Sequence, residues 1–149
     1  MPAVSADWEY TAHPHMLRRQ ASIWTVAMGG AALLGWFMLP ASIRSLFTVA
    51  QVATLAFFLV FMLAVVWILA LGWVKAGPQG LAFRNGLRTH QLPWHAVEGI
   101  RFRAADHWAF VDLTDDTDKP LLGIQRSDGP LADADVAALR ALHARYAGR

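Results

Sequence analysis

The chain has 149 residues, 56% of them hydrophobic, and no cysteine. Its thirteen Lys and Arg against eleven Asp and Glu leave a net charge of +2. The missing cysteine excludes disulfides, thiolate metal centres and cysteine nucleophiles. The charge balance gives no reason to expect a nucleic-acid partner, and the apolar fraction, concentrated in the first half, exceeds that of an ordinary soluble domain.

Residues 1–20 are polar and aromatic, and end in Leu17-Arg18-Arg19-Gln20. Within them Trp8-Glu9-Tyr10 fits a short strand or an interfacial segment equally well. Two apolar runs follow, Ala21 to Leu39 and Thr48 to Val74, and the second has no charged side chain before Lys75. Roughly 20 apolar residues cross a bilayer core as a helix. Residues 21–74 therefore read as a two-helix transmembrane hairpin, with helices over about 21–39 and 50–74. Pro40 ends the first helix, because proline lacks a backbone donor and disfavours helix at the residue before it. Asp7 and Glu9 precede the first run and its length exceeds a signal core, so a retained helix is expected. Trp24, Trp36 and Trp73 suit interfacial anchors.

Ala27, Ala31 and Gly35 fall at four-residue spacing, a small face on which a helix can approach closely. The second helix of the same chain is its expected partner, and a second copy is the alternative. Arg44 is the only charge in the connection Ala41 to Phe47. Arg18 and Arg19 precede the first helix, and Lys75, Arg84 and Arg88 follow the second. The excess of bases predicts a two-pass cell-membrane protein with both termini cytoplasmic.

Beyond Val74 the pattern changes to period 2, and residues 75–149 read as a soluble domain. Leu81–Arg84 and Leu87–Leu92 read as strands about an Asn85-Gly86 turn, a pair that tolerates positive φ. Val97 to Arg103 is the next strand. Ile100 and Phe102 share one face and Arg101 and Arg103 the other, and a bulge near Gly99 is needed to turn Val97 inward. Trp108 to Thr114 sorts Ala109, Val111 and Leu113 to one face. Asp115–Asp118 is an acidic turn, and Leu121–Ile124 a fifth strand with Pro120 at its start. The period then becomes helical over about 132–146, with Val136, Leu139, Leu142 and Tyr146 on one face and Asp133 or Ser127 as cap.

The hairpin, the stretch Leu92-Pro93-Trp94-His95-Ala96-Val97-Glu98-Gly99-Ile100-Arg101, Val111-Asp112-Leu113-Thr114 and the terminal helix together resemble bacterial pleckstrin-homology (PH)-like proteins. The two-helix actinobacterial form, with a soluble part similar to the low molecular weight protein antigen 6 PH domain, is the nearest likeness. The resemblance implies an α+β PH-like domain: a bent, seven-stranded antiparallel sheet or partial barrel capped by a C-terminal helix. It implies no ligand, since fold does not fix function.

Lys75, Arg84, Arg88, Arg101 and Arg103 could touch an anionic surface at about 1 kcal/mol per base. Solvated strand faces and topology explain the same residues more simply. His13-Pro14-His15 and the pair His90 and His95 lack the three or four converging ligands of a metal site. The acidic turn lacks the twelve-residue calcium-loop spacing. No nucleophile elbow, phosphate loop or dinucleotide fingerprint is present, and no ionisable residue sits at the centre of either run. An enzyme and a transporter are both disfavoured, and no cofactor is expected. The expected function is a non-catalytic, membrane-anchored scaffold that touches membrane lipids and other membrane proteins. Lipid sensing and an accessory role in a larger complex are the alternatives, and homo-oligomers are left open.

Overall fold

Strand β1 (Tyr10–Ala12) passes through Pro14 into helix α1 (His15–Met38), a short helix α2 (Ala41–Arg44) and helix α3 (Val49–Ala70). The chain then re-enters the sheet as β2 (Trp73–Gly77). The structure, a computed structural model, describes residues 7–148. Strand β2 pairs antiparallel with β1, Ala12 opposite Val74 and Tyr10 opposite Ala76. A helical hairpin is thus set between two neighbouring strands of one sheet.

Both long helices are apolar enough to cross a bilayer. At 1.5 Å per residue the 24 residues of α1 and 22 of α3 span about 36 and 33 Å, against about 30 Å of hydrocarbon. Neither is the core of a soluble fold. Phe37, Val49 and Val60 are 70%, 87% and 65% exposed, an apolar surface far larger than monomers present to water. Helix α3 opens with a capping box: Thr48 Oγ1 accepts from the Gln51 amide, and Gln51 Oε1 from the Thr48 amide. Thr54 donates to its own helix at Ala50, 2.8 Å away.

The expected helix limits need correction. Helix α1 begins at His15, since Arg18, Arg19 and Gln20 are polar but good helix formers. Helix α3 ends at Ala70, and Trp73 and Val74 belong to β2. The expected packing face is also corrected. Ala27, Ala31 and Gly35 are exposed, and nothing lies within 4 Å of a Cβ placed on Gly35. The α1 stripe that turns inward carries buried Ala21 and half-buried Thr25, Met28 and Gly29. Its choice follows from a polar contact: Trp67 Nε1 donates to Thr25 Oγ1 at 2.9 Å. At the far end of the hairpin Trp36 meets Phe47 edge to face.

Strand β3 (Gly80–Asn85) and β4 (Arg88–Leu92) complete a four-stranded sheet in the order β1-β2-β3-β4. After the 3-10 turn Trp94–Ala96, strands β5 (Val97–Arg101), β6 (Trp108–Leu113) and β7 (Asp118–Gln125) form a second, three-stranded sheet. The strand total of seven agrees with a PH-like fold, and the sheet does not close into a barrel. The β3–β4 turn differs from the expected one. Gly86 and Leu87 occupy its centre, and only Gly86 has positive φ, at 60°. Glycine at the first central position is what a type II′ turn requires. Asn85 remains in the strand, and its side chain crosses to the second sheet. Its Nδ2 donates to the Pro120 carbonyl at 2.6 Å, and its Oδ1 accepts from the Leu122 amide at 3.2 Å.

The register shifts between Val97 and Gly99, and Val97 is buried with Ile100, as the bulge requires. Strand β5 stops at Arg101, short of the expected Arg103, and Phe102 packs against the edge of the core. Ala109, Val111 and Leu113 point inward with Phe83, Leu121 and Ile124. The sheets approach closely at Gly123, where a Cβ would stand 2.8 Å from the Trp73 carbonyl carbon. Pro120 lies inside β7, which tolerates it as the last strand of its sheet.

Helix α4 (Pro130–Tyr146) buries Val136, Leu139 and Leu142 over the core, with Tyr146 half-buried beside them. Its cap is Gly129, at φ 58°, and neither Asp133 nor Ser127 caps it by a side-chain hydrogen bond. Proline at the first helical position presets the helix, and Asp133 instead pairs with Arg126 at 3.1 Å.

Candidate interaction surface and its membrane junction

Every strand edge exposes backbone groups unless something covers them. The β5 edge is covered by α4: Arg140 Nε donates to the Ile100 carbonyl at 3.0 Å, and His143 Nε2 lies 2.9 Å from the Val97 carbonyl. Strand β4 ends the other sheet and is not covered in this way. Its residues Arg88, Thr89 and Gln91 are exposed, and His90 stacks on Phe83 from the inner face, ring centroids 5.0 Å apart. Beside the end of β4 lies a recess of about 560 Å³ lined by Trp8, Gln79, Gly80, Leu81, Gln91 and Leu92. It offers an extended chain both hydrogen-bonding backbone and a place for a side chain.

The five bases expected to meet an anionic surface do not converge. Lys75 and Arg84 lie on the outer face of the four-stranded sheet, where Lys75 Nζ sits 5.0 Å above the Trp73 ring. Arg84 Nε is spent on the Gly86 carbonyl at 2.9 Å. Arg88 is exposed at the β3–β4 turn. Arg101 lies on the outer face of the other sheet, paired with Asp112 at 3.1 Å and with Asp118, its cation over the Phe110 ring. Its hydrogen bond to Asp112 raises its pKa further, so the charge is permanent and locally neutralised. Arg103 is exposed in the β5–β6 loop.

The acidic turn is a solvated hairpin. The Thr117 hydroxyl and amide both donate to Asp115, which holds that carboxyl below its usual range. Asp116 takes positive φ, at 62°. Among the described residues no group of His, Asp and Glu converges on a common point.

More of the construction lies where hairpin and sheets join. Pro14 gives α1 no side-chain cap. Asp128, 113 positions away, supplies one: its carboxylate accepts from the His15 amide at 3.1 Å and the Met16 amide at 2.6 Å. A negative group there also meets the positive end of the helix dipole. The C-terminus of α3 receives the complement. Arg18 Nε donates to the Ala70 carbonyl at 3.0 Å, and Arg18 Nη2 lies 3.1 Å from His13 Nδ1. A guanidinium only donates, so His13 Nδ1 is the unprotonated nitrogen. Burial, then the Arg18 charge, lowers the His13 pKa from its ordinary value.

The segment before α1 is bound to α4 at both ends. Tyr10 donates to Asp135, and burial with that bond pushes the phenol up to about 12. Burial raises Asp135 as well. Glu9 accepts from Tyr146 and pairs with Arg145 at 3.3 Å. Sequence reasoning missed Asp128, Glu9 and Asp135, because nothing local ties residues so far apart. Arg18 was legible in principle: a hairpin sets the first turn of one helix beside the last of the other, where a base suits the dipole.

A family model described as "Bacterial PH domain" matches residues 73–144, from β2 into α4. An uncharacterized protein of Mycobacterium bovis is 32% identical over 148 residues, covering 98% of this chain and 96% of its own length. Two uncharacterized proteins of Mycobacterium tuberculosis strains match to the same extent. No solved structure matches the chain. The likeness to the mycobacterial proteins runs through the hairpin as well as the sheets, and with the family match it places the chain among the bacterial PH domain proteins.

Proposed function

We propose that the chain is a non-catalytic, membrane-anchored PH-like module that binds other membrane proteins at the inner surface of the cell membrane. The observation that carries this reading is the uncovered β4 edge on a domain whose junction to the hairpin has no slack. Helix α1 leaves β1 and α3 enters β2 within a few residues, and Asp128 and Arg18 tie the two helix ends to the domain and to each other. The edge is held at a set height above the bilayer, where tethering raises effective concentration. The partner is an extended segment of another membrane protein, added as a strand beside Arg88–Leu92.

This reading stands ahead of lipid sensing by the five bases, because Arg101 is neutralised and Arg84 is engaged. A photo-crosslinking side chain at Thr89 or Gln91 in native membranes tests it. Protein adducts at β4, absent when the same group replaces Ala144 on α4, support strand addition. Adducts to lipid alone at both positions refute it. Orientation has its own test, since the chain lacks cysteine. Ser45→Cys should react with an impermeant maleimide from outside and Thr114→Cys only after permeabilisation. The reverse pattern overturns the topology.

A further inference from the structure

A cavity of about 460 Å³ opens where hairpin and second sheet meet. Its apolar wall comes from Leu17 in the first turn of α1, Leu69 in the last turn of α3, Leu122 of β7 and Trp108 at the start of β6. Its polar end carries Arg126 and His107. Arg126 is unusual. Its Cζ stands 3.5 Å from the centre of the Phe102 ring, Nη1 pairs with the exposed Asp133, and Nη2 donates to the Arg103 carbonyl at 2.7 Å. Its Nε–H is buried and has no acceptor among the described residues. A buried donor on a cation without an acceptor is costly, and an anionic oxygen nearby would remove the cost.

We infer that this cavity seats one phospholipid of the surrounding bilayer, its phosphate toward Arg126 and His107 and its acyl chains against Leu17 and Leu69. The inference rests on the membrane-anchored reading above. Three observations choose the occupant. Leu17 and Leu69 continue the exposed apolar faces of the two helices, so what surrounds those helices reaches the cavity mouth. Arg126 gives the polar end a charge complementary to phosphate, with only the exposed Asp133 against it. Trp108 is 36% exposed on the rim, and tryptophan favours the headgroup level.

The test uses the full chain in vesicles of phosphatidylglycerol and phosphatidylethanolamine, extracted into mild detergent and weighed by native mass spectrometry. One phospholipid should stay bound per chain. Leu69→Trp, at an exposed helix position, fills the cavity and should lower the retained fraction about tenfold, and Arg126→Gln should lower it several-fold. Retention unchanged in both variants overturns the inference. So does inorganic phosphate that displaces the lipid at millimolar concentration, because the acyl contacts then contribute nothing. A second measurement needs no variant: a phospholipid with a photoactivatable chain should label the segment 107–127 as well as the helices. Labelling confined to mid-helix positions such as Val60 refutes the cavity site while leaving the membrane-anchored reading intact.

Discussion

Replacing Asp128 by alanine removes the cap on α1 without touching either the helix or the core. The carboxylate satisfies two amides that have no intrahelical acceptor, at 3.1 and 2.6 Å. Loss of an N-terminal cap costs about 0.5–2 kcal/mol, and the helix dipole adds about 0.3–1 kcal/mol for a charged group. Asp128 is half-exposed, so the expected local cost is about 1–2 kcal/mol. That corresponds to a roughly 5- to 30-fold rise in opening of the first turn. Hydrogen exchange on the full chain in nanodiscs reads this directly at His15 and Met16. Asp128→Asn keeps an acceptor but loses the charge, and should fall between wild type and Asp128→Ala. Amides of β6 should not change. Exchange at His15 and Met16 that stays within twofold of wild type in Asp128→Ala would show that water caps the helix equally well, and the junction argument would fail.

Gly123→Ala should destabilise the domain by about 1–3 kcal/mol, since the new methyl meets Trp73 backbone rather than a movable side chain. A denaturation midpoint equal to wild type refutes the close approach. Asn85→Ala strips the Pro120 carbonyl and the Leu122 amide of their partner and should cost about 1–3 kcal/mol, with Leu122 exchange accelerated. The chain has two tyrosines, so Tyr146→Phe leaves Tyr10 alone for ultraviolet titration. It should ionise near pH 12, and Asp135→Asn should bring it down. Because the folded value is raised, this contribution to stability is whole below pH 10 and is lost as pH rises toward 12. His13 has the opposite sign: its folded pKa is depressed, so its contribution is present above pH 6.5 and lost as pH falls through the folded value. The drop in thermal midpoint on acidification should shrink in His13→Gln, and an unchanged drop dismisses the His13–Arg18 contact as a pH-sensitive element.

Alternation carried far in this chain. It sorted Ala109, Val111 and Leu113 inward, and the need to bury Val97 located the bulge beside Gly99. Helical period found the buried face of α4. Two strands escaped for different reasons. Trp73-Val74 continues an apolar run, and periodicity cannot distinguish the end of an apolar helix from the start of a buried strand. Strand β1 has three residues, too few for a period, and exists because β2 offers it an edge. The Asn85-Gly86 turn shifted by one residue because Asn85 gains more from bridging two sheets than from the turn centre. The Ala27, Ala31 and Gly35 stripe misled because small residues permit close approach without selecting it, whereas the Thr25–Trp67 hydrogen bond does select a face. The uncovered β4 edge and the junction cavity belong to no local pattern at all.

Placing the hairpin between β1 and β2 also dictates an order of events during synthesis. The first strand leaves the ribosome well before its partner, and everything between them must first be delivered to the lipid phase. A nascent chain whose hairpin stalls halfway leaves β1 and β2 on opposite sides of the bilayer, where they cannot pair. Completion of the sheet then reports that insertion has succeeded, and a failed chain displays unpaired strands to the quality-control proteases.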